Sequence, residues 1–171
     1  MTEMQKLVER VEALEARFKK PTIDVVSLSG KLPQYESEGA AGLDLEYYGG
    51  EDAKPIVFEP GERKLIPTGI FVSLVDWDHY VMAIRPRSGL AIREGFTVLN
   101  SPGTIDSDYR GEIKVIGINL SRETVVIQPG ERCAQAVIHR QVQIGWNQLS
   151  SVELLSDTKR GDGGFGHTGK S

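Results

Sequence analysis

Short β-prone segments separated by glycine and proline fill most of the chain and constrain its fold more than any other feature. The 171-residue sequence holds 19 glycines and 8 prolines. From Ile23 onward, runs rich in Val, Ile, Tyr and Phe alternate with Gly/Pro turns, and no amphipathic helix of useful length lies between them. This pattern predicts an all-β sandwich or barrel. The predicted strands are Ile23–Leu28, Leu43–Tyr48, Gly69–Leu74, Tyr80–Ile84, Glu112–Asn119, Thr124–Ile127 and Cys133–His139.

Residues 2–20 have a helical period instead. Apolar residues alternate spacings of three and four, which is the a/d seam of a heptad repeat, at Met4, Leu7, Val11, Leu14 and Phe18. Because the residue before a proline avoids helical geometry, Pro21 is expected to end the helix near Lys19. With Met4 at position a, Arg10 falls at g and Glu15 at e, where they can pair between helices.

The seam is short for a self-sufficient coiled coil, so three interpretations of this helix stay open. It can form a short coil with other copies of the chain, or bind a different protein partner. It can also pack on its own barrel or fray in solution.

Composition excludes some classes of function. The net charge of −4 argues against a general nucleic-acid binder, because phosphate backbones need a basic surface. The single cysteine, Cys133, cannot form an intrachain disulfide and is expected to be a buried small hydrophobe. A reducing compartment, and hence a cytoplasmic location, fits best. No apolar run approaches the length of a membrane span.

Three segments have residues suited to phosphate and nucleotide chemistry. In Asn100–Gly111, an acid at a strand edge can act as a general base and a tyrosine can cover a sugar, although an acidic β-turn explains the segment equally well. In Arg85–Ala91, arginine, a hydroxyl and backbone amides can cradle an anion; the alternative is a strand end followed by a polar turn.

The third segment, residues 160–171, contains five glycines. Its Arg160 and Phe165 can lie up to roughly 17 Å apart in an extended chain, the span of a nucleoside triphosphate. A flexible strap of this kind can place a guanidinium on the last phosphate and a phenyl ring on the base. A disordered C-terminal linker is the alternative.

These segments, with Ala41–Leu45 and Gly130–Gln135, resemble the five ordered motifs of the trimeric dUTPase family over about residues 23–169. The resemblance implies hydrolysis of dUTP to dUMP and pyrophosphate, Mg²⁺ as cofactor, and a homotrimer with shared active sites. It also implies a jelly-roll-like β-barrel over residues 21–155, with an added N-terminal helix over residues 1–20. Residues 156–171 would form a flexible arm that closes the site.

The resemblance also assigns roles to individual residues. Asp106 would be the general base, Gln135 would lie near the attacking water, and Arg160 would contact the γ-phosphate. Substrate-binding roles fall to a phosphate cradle (Arg87, Ser88, Gly89), a uracil-binding hairpin (Asn100, Gly103, Thr104, Ile105, Lys114), Tyr109 under the deoxyribose, and Phe165 and Gly166 of the arm. Asp44 would lie near the metal and act through a bound water. His167 stands where many members have serine.

Two rival functions are compatible with parts of the pattern. dCTP deaminase shares the fold, but Tyr109 and the Gly-Gly-Phe-Gly tail argue against it. A regulatory protein switched by nucleotide occupancy, with the tail as its moving part, is the other.

Overall fold

A computed structural model describes residues 1–18, 22–74 and 79–163, with side chains of residues 13–18 left out. Residues up to Gln141 form one compact unit, and the described residues from Val142 form a second. The first unit contains, in order, α1 (Glu3–Phe18), β1 (Ile23–Ser27), β2 (Leu43–Glu46), β3 (Ile56–Phe58), β4 (Arg63–Leu74), β5 (Tyr80–Arg85), α2 (Ser88–Glu94), β6 (Phe96–Val98), β7 (Gly103–Ile105), β8 (Ile113–Asn119), β9 (Val125–Ile127) and β10 (Arg132–Arg140). The second contains a 3₁₀ turn, Val152–Leu154.

The strands form antiparallel sheets around one apolar core. One sheet has the order β1-β4-β8-β6, the second β2-β10-β5-β7, and β3 pairs with β9. Phe58 and Phe96 meet edge to face in the core, with ring centroids 5.1 Å apart. Buried aliphatic side chains from both larger sheets surround them. The all-β class predicted from the sequence is confirmed.

Two identical turns lead into the longest strands. Gly61 and Gly130, each in a Pro-Gly-Glu-Arg segment, have φ of 78° and 77°, which glycine adopts without strain. The following glutamate, Glu62 or Glu131, accepts a hydrogen bond from the backbone N–H three residues earlier, at 3.0 and 2.9 Å. Strands β4 and β10 begin immediately after these turns.

The structure corrects the predicted elements in three places. Strand β4 begins at Arg63 and runs through Pro67. Proline has no backbone N–H to donate to the neighbouring strand, but the pairing is interrupted at this point by a bulge between Pro67 and Ile70. The segment after Arg87 is a seven-residue helix, α2, where a polar turn was one of the alternatives. Strands β3, β6 and β7 have three residues each, too few for a periodic signal.

Cys133 is buried, as expected, with Sγ 3.6 Å from the carbonyl oxygen of Leu45. Burial raises the pKa of the Cys133 thiol to about 12. Because the thiolate is the reactive species, this cysteine is chemically inert near neutral pH. Among the described helices, none is long and apolar enough to cross a membrane.

Candidate active site

Three neighbouring strands of the second sheet place a row of polar residues side by side. Gln135 on β10 is paired with Asp44 on β2 and with Arg85 on β5. The Gln135 amide nitrogen donates to the carbonyl of Pro86 at 2.9 Å, which fixes the side chain beside the turn that enters α2. Gly42 keeps this position open, because any side chain there would collide with Gln135.

Arg87 and Asp44 form the centre of a charged cluster beside this row. Arg87 donates from Nε to Asp44 Oδ1 at 3.0 Å, from Nη2 to Oδ2 at 3.3 Å, and from Nη1 to the carbonyl of Arg132 at 3.2 Å. Arg132 also donates to Asp44 Oδ2, at 3.2 Å. Three of the five N–H groups that a guanidinium carries are therefore used, and two stay available for an anion.

Arg93 lies on α2, six residues after Arg87, and was not among the residues predicted from the sequence. Its side chain folds back along α2 onto Gly89, so that a Cβ atom at Gly89 would lie 2.9 Å from Arg93 Nη1. No carboxylate of the described residues lies within ion-pair distance of this guanidinium. Residues four positions apart are neighbours on a helix, so the spacing of Gly89 and Arg93 indicates a contact only when this segment is known to be helical.

A second cluster is built by β7 and the turn that follows it. Gly103 pairs with Ile84, and a Cβ atom there would lie 3.2 Å from the Asn100 amide nitrogen, so glycine leaves room for this amide. Thr104 and Ile105 continue the strand. Lys114, on β8, forms an ion pair with Glu112 at 3.4 Å.

Asp106 directly follows β7 and has an exposed side chain. Its carbonyl accepts a hydrogen bond from the Tyr109 N–H at 3.1 Å, which closes the turn. The Tyr109 hydroxyl donates to the carbonyl of Glu112 at 3.1 Å, and its ring lies against Gly111, where any side chain would collide with it. These contacts fix the hydroxyl end of the side chain, and the residue stays 43% exposed, so that it can contact a ligand.

Asp106 and Gln135 lie toward opposite ends of β5. Gln135 is level with Arg85, whereas Asp106 follows Ile105, which is level with Met82. With strands about 4.8 Å apart and a rise of roughly 3.3 Å per residue, the Cα atoms of Asp106 and Gln135 lie roughly 15 Å apart. This separation is large for two side chains that contact one water molecule within a single chain.

The arm residues belong to the second unit or lie outside the described residues. Arg160 Nε donates to the carbonyl of Gly163 at 2.6 Å, and Thr158 Oγ1 accepts from the N–H of Gly161 at 3.1 Å. Phe165 and Gly166 lie outside the described residues, as does His167. Their assignments stay predictions.

The carboxylates available for a metal are few. Within residues 1–18, 22–74 and 79–163, no group of three or more His, Cys, Asp or Glu side chains could hold an ion. Asp44 is 14% exposed, and its Oδ1 accepts only one hydrogen bond from the described residues. Since a carboxylate oxygen has two acceptor positions, Oδ1 can still accept from a metal-bound water.

Comparisons with known proteins agree on one family. The dUTPase family model matches residues 29–169. The deoxyuridine 5'-triphosphate nucleotidohydrolase of Bdellovibrio bacteriovorus is 46% identical over 168 residues, covering 98% of this chain and 100% of the relative. A dUTPase structure from Staphylococcus bacteriophage 80alpha has a TM-score of 0.70 at 24% identity, covering 87% of this chain and 99% of the phage chain. A phage phi11 dUTPase structure, in which a structural Mg(II) ion is coordinated, has a TM-score of 0.65 at 23% identity and covers 78% and 99%.

Proposed function

The chain belongs to the dUTPase family and hydrolyses dUTP to dUMP and pyrophosphate, and we propose that each catalytic site is assembled between copies of the chain. The activity keeps uracil out of DNA and supplies dUMP for dTMP synthesis. The predicted dUTPase β-barrel with an added N-terminal helix is confirmed. The separation of Asp106 from Gln135 supports a site in which one copy contributes the Asp106 cluster and its neighbour the Gln135 cluster.

Asp106 is the general base of this site. It takes a proton from a water whose oxygen attacks the α-phosphorus in line; the bond from that phosphorus to the bridging oxygen breaks, and pyrophosphate leaves. Gln135 of the neighbouring copy orients the water through its amide, which the hydrogen bond to Pro86 holds in place. Most of the lowering of the barrier comes from positioning and charge neutralisation.

The triphosphate is held by a few placed cations and amides, as the acidic net charge of the chain requires. Arg87 contributes its two remaining N–H groups. Ser88 contributes its hydroxyl and its backbone N–H, and Gly89 contributes its backbone N–H. Arg93 adds a second guanidinium, which lies against Gly89 on α2. Asp44 and Arg132 keep Arg87 in position.

Replacing Arg93 by Gln is expected to raise the KM for dUTP about tenfold. A hydrogen bond to a charged group contributes roughly 1.5–3 kcal/mol, and the exposed position of Arg93 places its contribution at the low end of that range. Steady-state kinetics with pyrophosphate detection measure the change. Arg122→Gln, at an exposed arginine in the β8–β9 turn, is the matched control and is expected to leave KM unchanged. Equal KM values for the two variants would remove Arg93 from the phosphate site.

Base and sugar are selected by the Asp106 cluster. Asn100 and the backbone of Thr104 and Ile105 bind uracil, and the narrow hairpin excludes the thymine methyl group. Cytosine exchanges the donor and acceptor at its 4-position and leaves buried groups unpaired. Tyr109, held on Gly111, lies under the deoxyribose and leaves no room for a 2′-hydroxyl.

The purified protein is therefore expected to hydrolyse dUTP at least about 10²-fold more efficiently than UTP or dTTP, as kcat/KM from pyrophosphate release. dCTP should yield no ammonia, since the chain is not expected to act as a deaminase. Comparable hydrolysis of all three nucleotides would contradict the assigned hairpin, and ammonia from dCTP would contradict the reaction type.

Mg²⁺ is the expected cofactor, held mainly by the substrate phosphates and water, with Asp44 contributing through a bound water. The free acceptor position on Asp44 Oδ1 supports this assignment. When bound, the ion neutralises phosphate charge. The chain's own cations, Arg87 and Arg93, orient the same phosphates.

The assembly is a homotrimer in the cytoplasm. Two copies build each pocket, and the third contributes residues 156–171 as an arm that closes the site. In that arm, Arg160 contacts the γ-phosphate, while Phe165 stacks on the uracil and Gly166 lets the backbone approach the substrate. Closure excludes water from the reacting phosphate.

A further inference from the structure

We propose that the α1 helices of three copies form a short parallel coiled coil, which ties the barrels together outside the catalytic sites. The inference rests on the trimeric assembly proposed above. It concerns residues 3–18, which precede the matched dUTPase domain.

The helix has a defined start and an uncovered apolar face. Thr2 and Gln5 form a capping box: the Gln5 side chain accepts from the Thr2 N–H at 2.7 Å, and the Thr2 hydroxyl accepts from the Gln5 N–H at 3.3 Å. The seam residues Met4, Leu7 and Val11 are between 46% and 70% exposed. The described part of the barrel therefore leaves this face open.

The width of the apolar face suits more than two helices. Val8, at heptad position e, is 48% exposed and lies beside the a/d seam. An apolar stripe that includes a, d and e is typical of helices in bundles, whereas a strict a/d stripe is the narrower seam of a pair. The three a positions hold only one β-branched residue, Val11, so they do not impose a two-stranded coil.

Charges beside the seam favour a parallel arrangement of identical helices. In a parallel coil, Arg10 at g faces Glu15 at e of the next helix, an attractive pair. An antiparallel alignment places g residues against each other, so that Arg10 meets Arg10 or Arg17. Helices on a three-fold barrel also point the same way by symmetry. The four acidic residues on the helix argue against a membrane surface, which selects Lys/Arg-rich faces.

The barrel compensates for the shortness of the coil. Isolated helices below about 12–15 residues are marginal, and two and a half heptads alone would associate weakly. Only residues 19–22 separate the end of α1 from the start of β1. Such a short connection keeps the local helix concentration at about millimolar, which converts assembly into an intramolecular step.

Engineered cysteines test the coil in the full-length chain, because native Cys133 is buried and inert. Leu7→Cys places thiols at d, in the centre of the proposed coil, and Glu9→Cys places them at f, on its outer face. With oxidised glutathione, Leu7→Cys is expected to form linked pairs on non-reducing gels at least tenfold faster than Glu9→Cys. Equal rates would overturn the proposal.

Charge reversal in the Leu7→Cys chain checks the orientation. Arg10→Glu should slow cross-linking several-fold, and Arg10→Glu combined with Glu15→Arg should restore it; failure of both effects would overturn the parallel register.

Light scattering and dUTP hydrolysis on the same samples separate the proposed coil from the proposed trimeric assembly. If the protein is trimeric and active but cross-links equally at residues 7 and 9, the coil is refuted and the proposed assembly stands. The same holds if the helix binds another protein instead. A protein that is not trimeric loses the assembly and the coil together.

Discussion

Replacing Asp106 by Asn is expected to lower kcat for dUTP hydrolysis by about 10²–10⁴-fold while leaving nucleotide binding nearly intact. The amide has the shape of the carboxylate but cannot accept the proton of the attacking water. The Asp106 side chain is exposed and accepts no hydrogen bond from the described residues, so the fold does not depend on its charge. Pyrophosphate release gives kcat, and calorimetry with a non-hydrolysable dUTP analogue gives the affinity.

Asp108→Asn is the matched control for this experiment. Asp108 lies on the same exposed turn, two residues further on, and loses the same charge. Its replacement is expected to change kcat by less than about threefold, since only a base within reach of the water contributes to proton transfer. If the two variants lose the same activity, a general effect of charge explains the result, and Asp106 is not the base.

The sequence predicted those features whose signal is local. Alternation and β-branched residues located strands such as β8 and β10, and Pro-Gly predicted the turns at Gly61 and Gly130. The heptad seam similarly located α1. Each of these depends on residues within a few positions of one another, so a single chain segment contains the information.

Features that depend on distant residues could not be predicted in this way. The ion pairs of Asp44 join it to Arg87 and Arg132, which are 43 and 88 residues away. Arg93 was missed because its contact with Gly89 requires α2, a helix too short to show a period. Motif order likewise gave no sign that Gln135 and Asp106 lie apart, because that distance depends on strand register.

Mixing two inactive variants is expected to restore activity if the sites are shared. Asp106→Asn chains retain a complete Gln135 cluster, and Gln135→Ala chains retain Asp106. After unfolding and reassembly of an equal mixture, a site between neighbouring copies is intact when one neighbour supplies Asp106 and the other Gln135. Random assortment makes about a quarter of the sites intact, so a loss of about 10²–10⁴-fold in Asp106→Asn predicts a recovery of at least about 25-fold over that variant alone. A chain truncated after Lys159 should rescue Asp106→Asn by the same logic, because the arm is proposed to come from a third copy.

The control for this experiment carries both lesions in one chain. Mixing Asp106→Asn with the double variant Asp106→Asn/Gln135→Ala supplies no Asp106 from any copy, so no site can be completed and no recovery is expected. If each barrel instead held a whole site, every chain in the first mixture would carry a lesion in its own site. The two mixtures would then stay equally inactive, although light scattering showed that trimers had formed. Recovery in the first mixture alone requires Asp106 and Gln135 to act from different copies, which is the arrangement that their separation of roughly 15 Å within one chain favours.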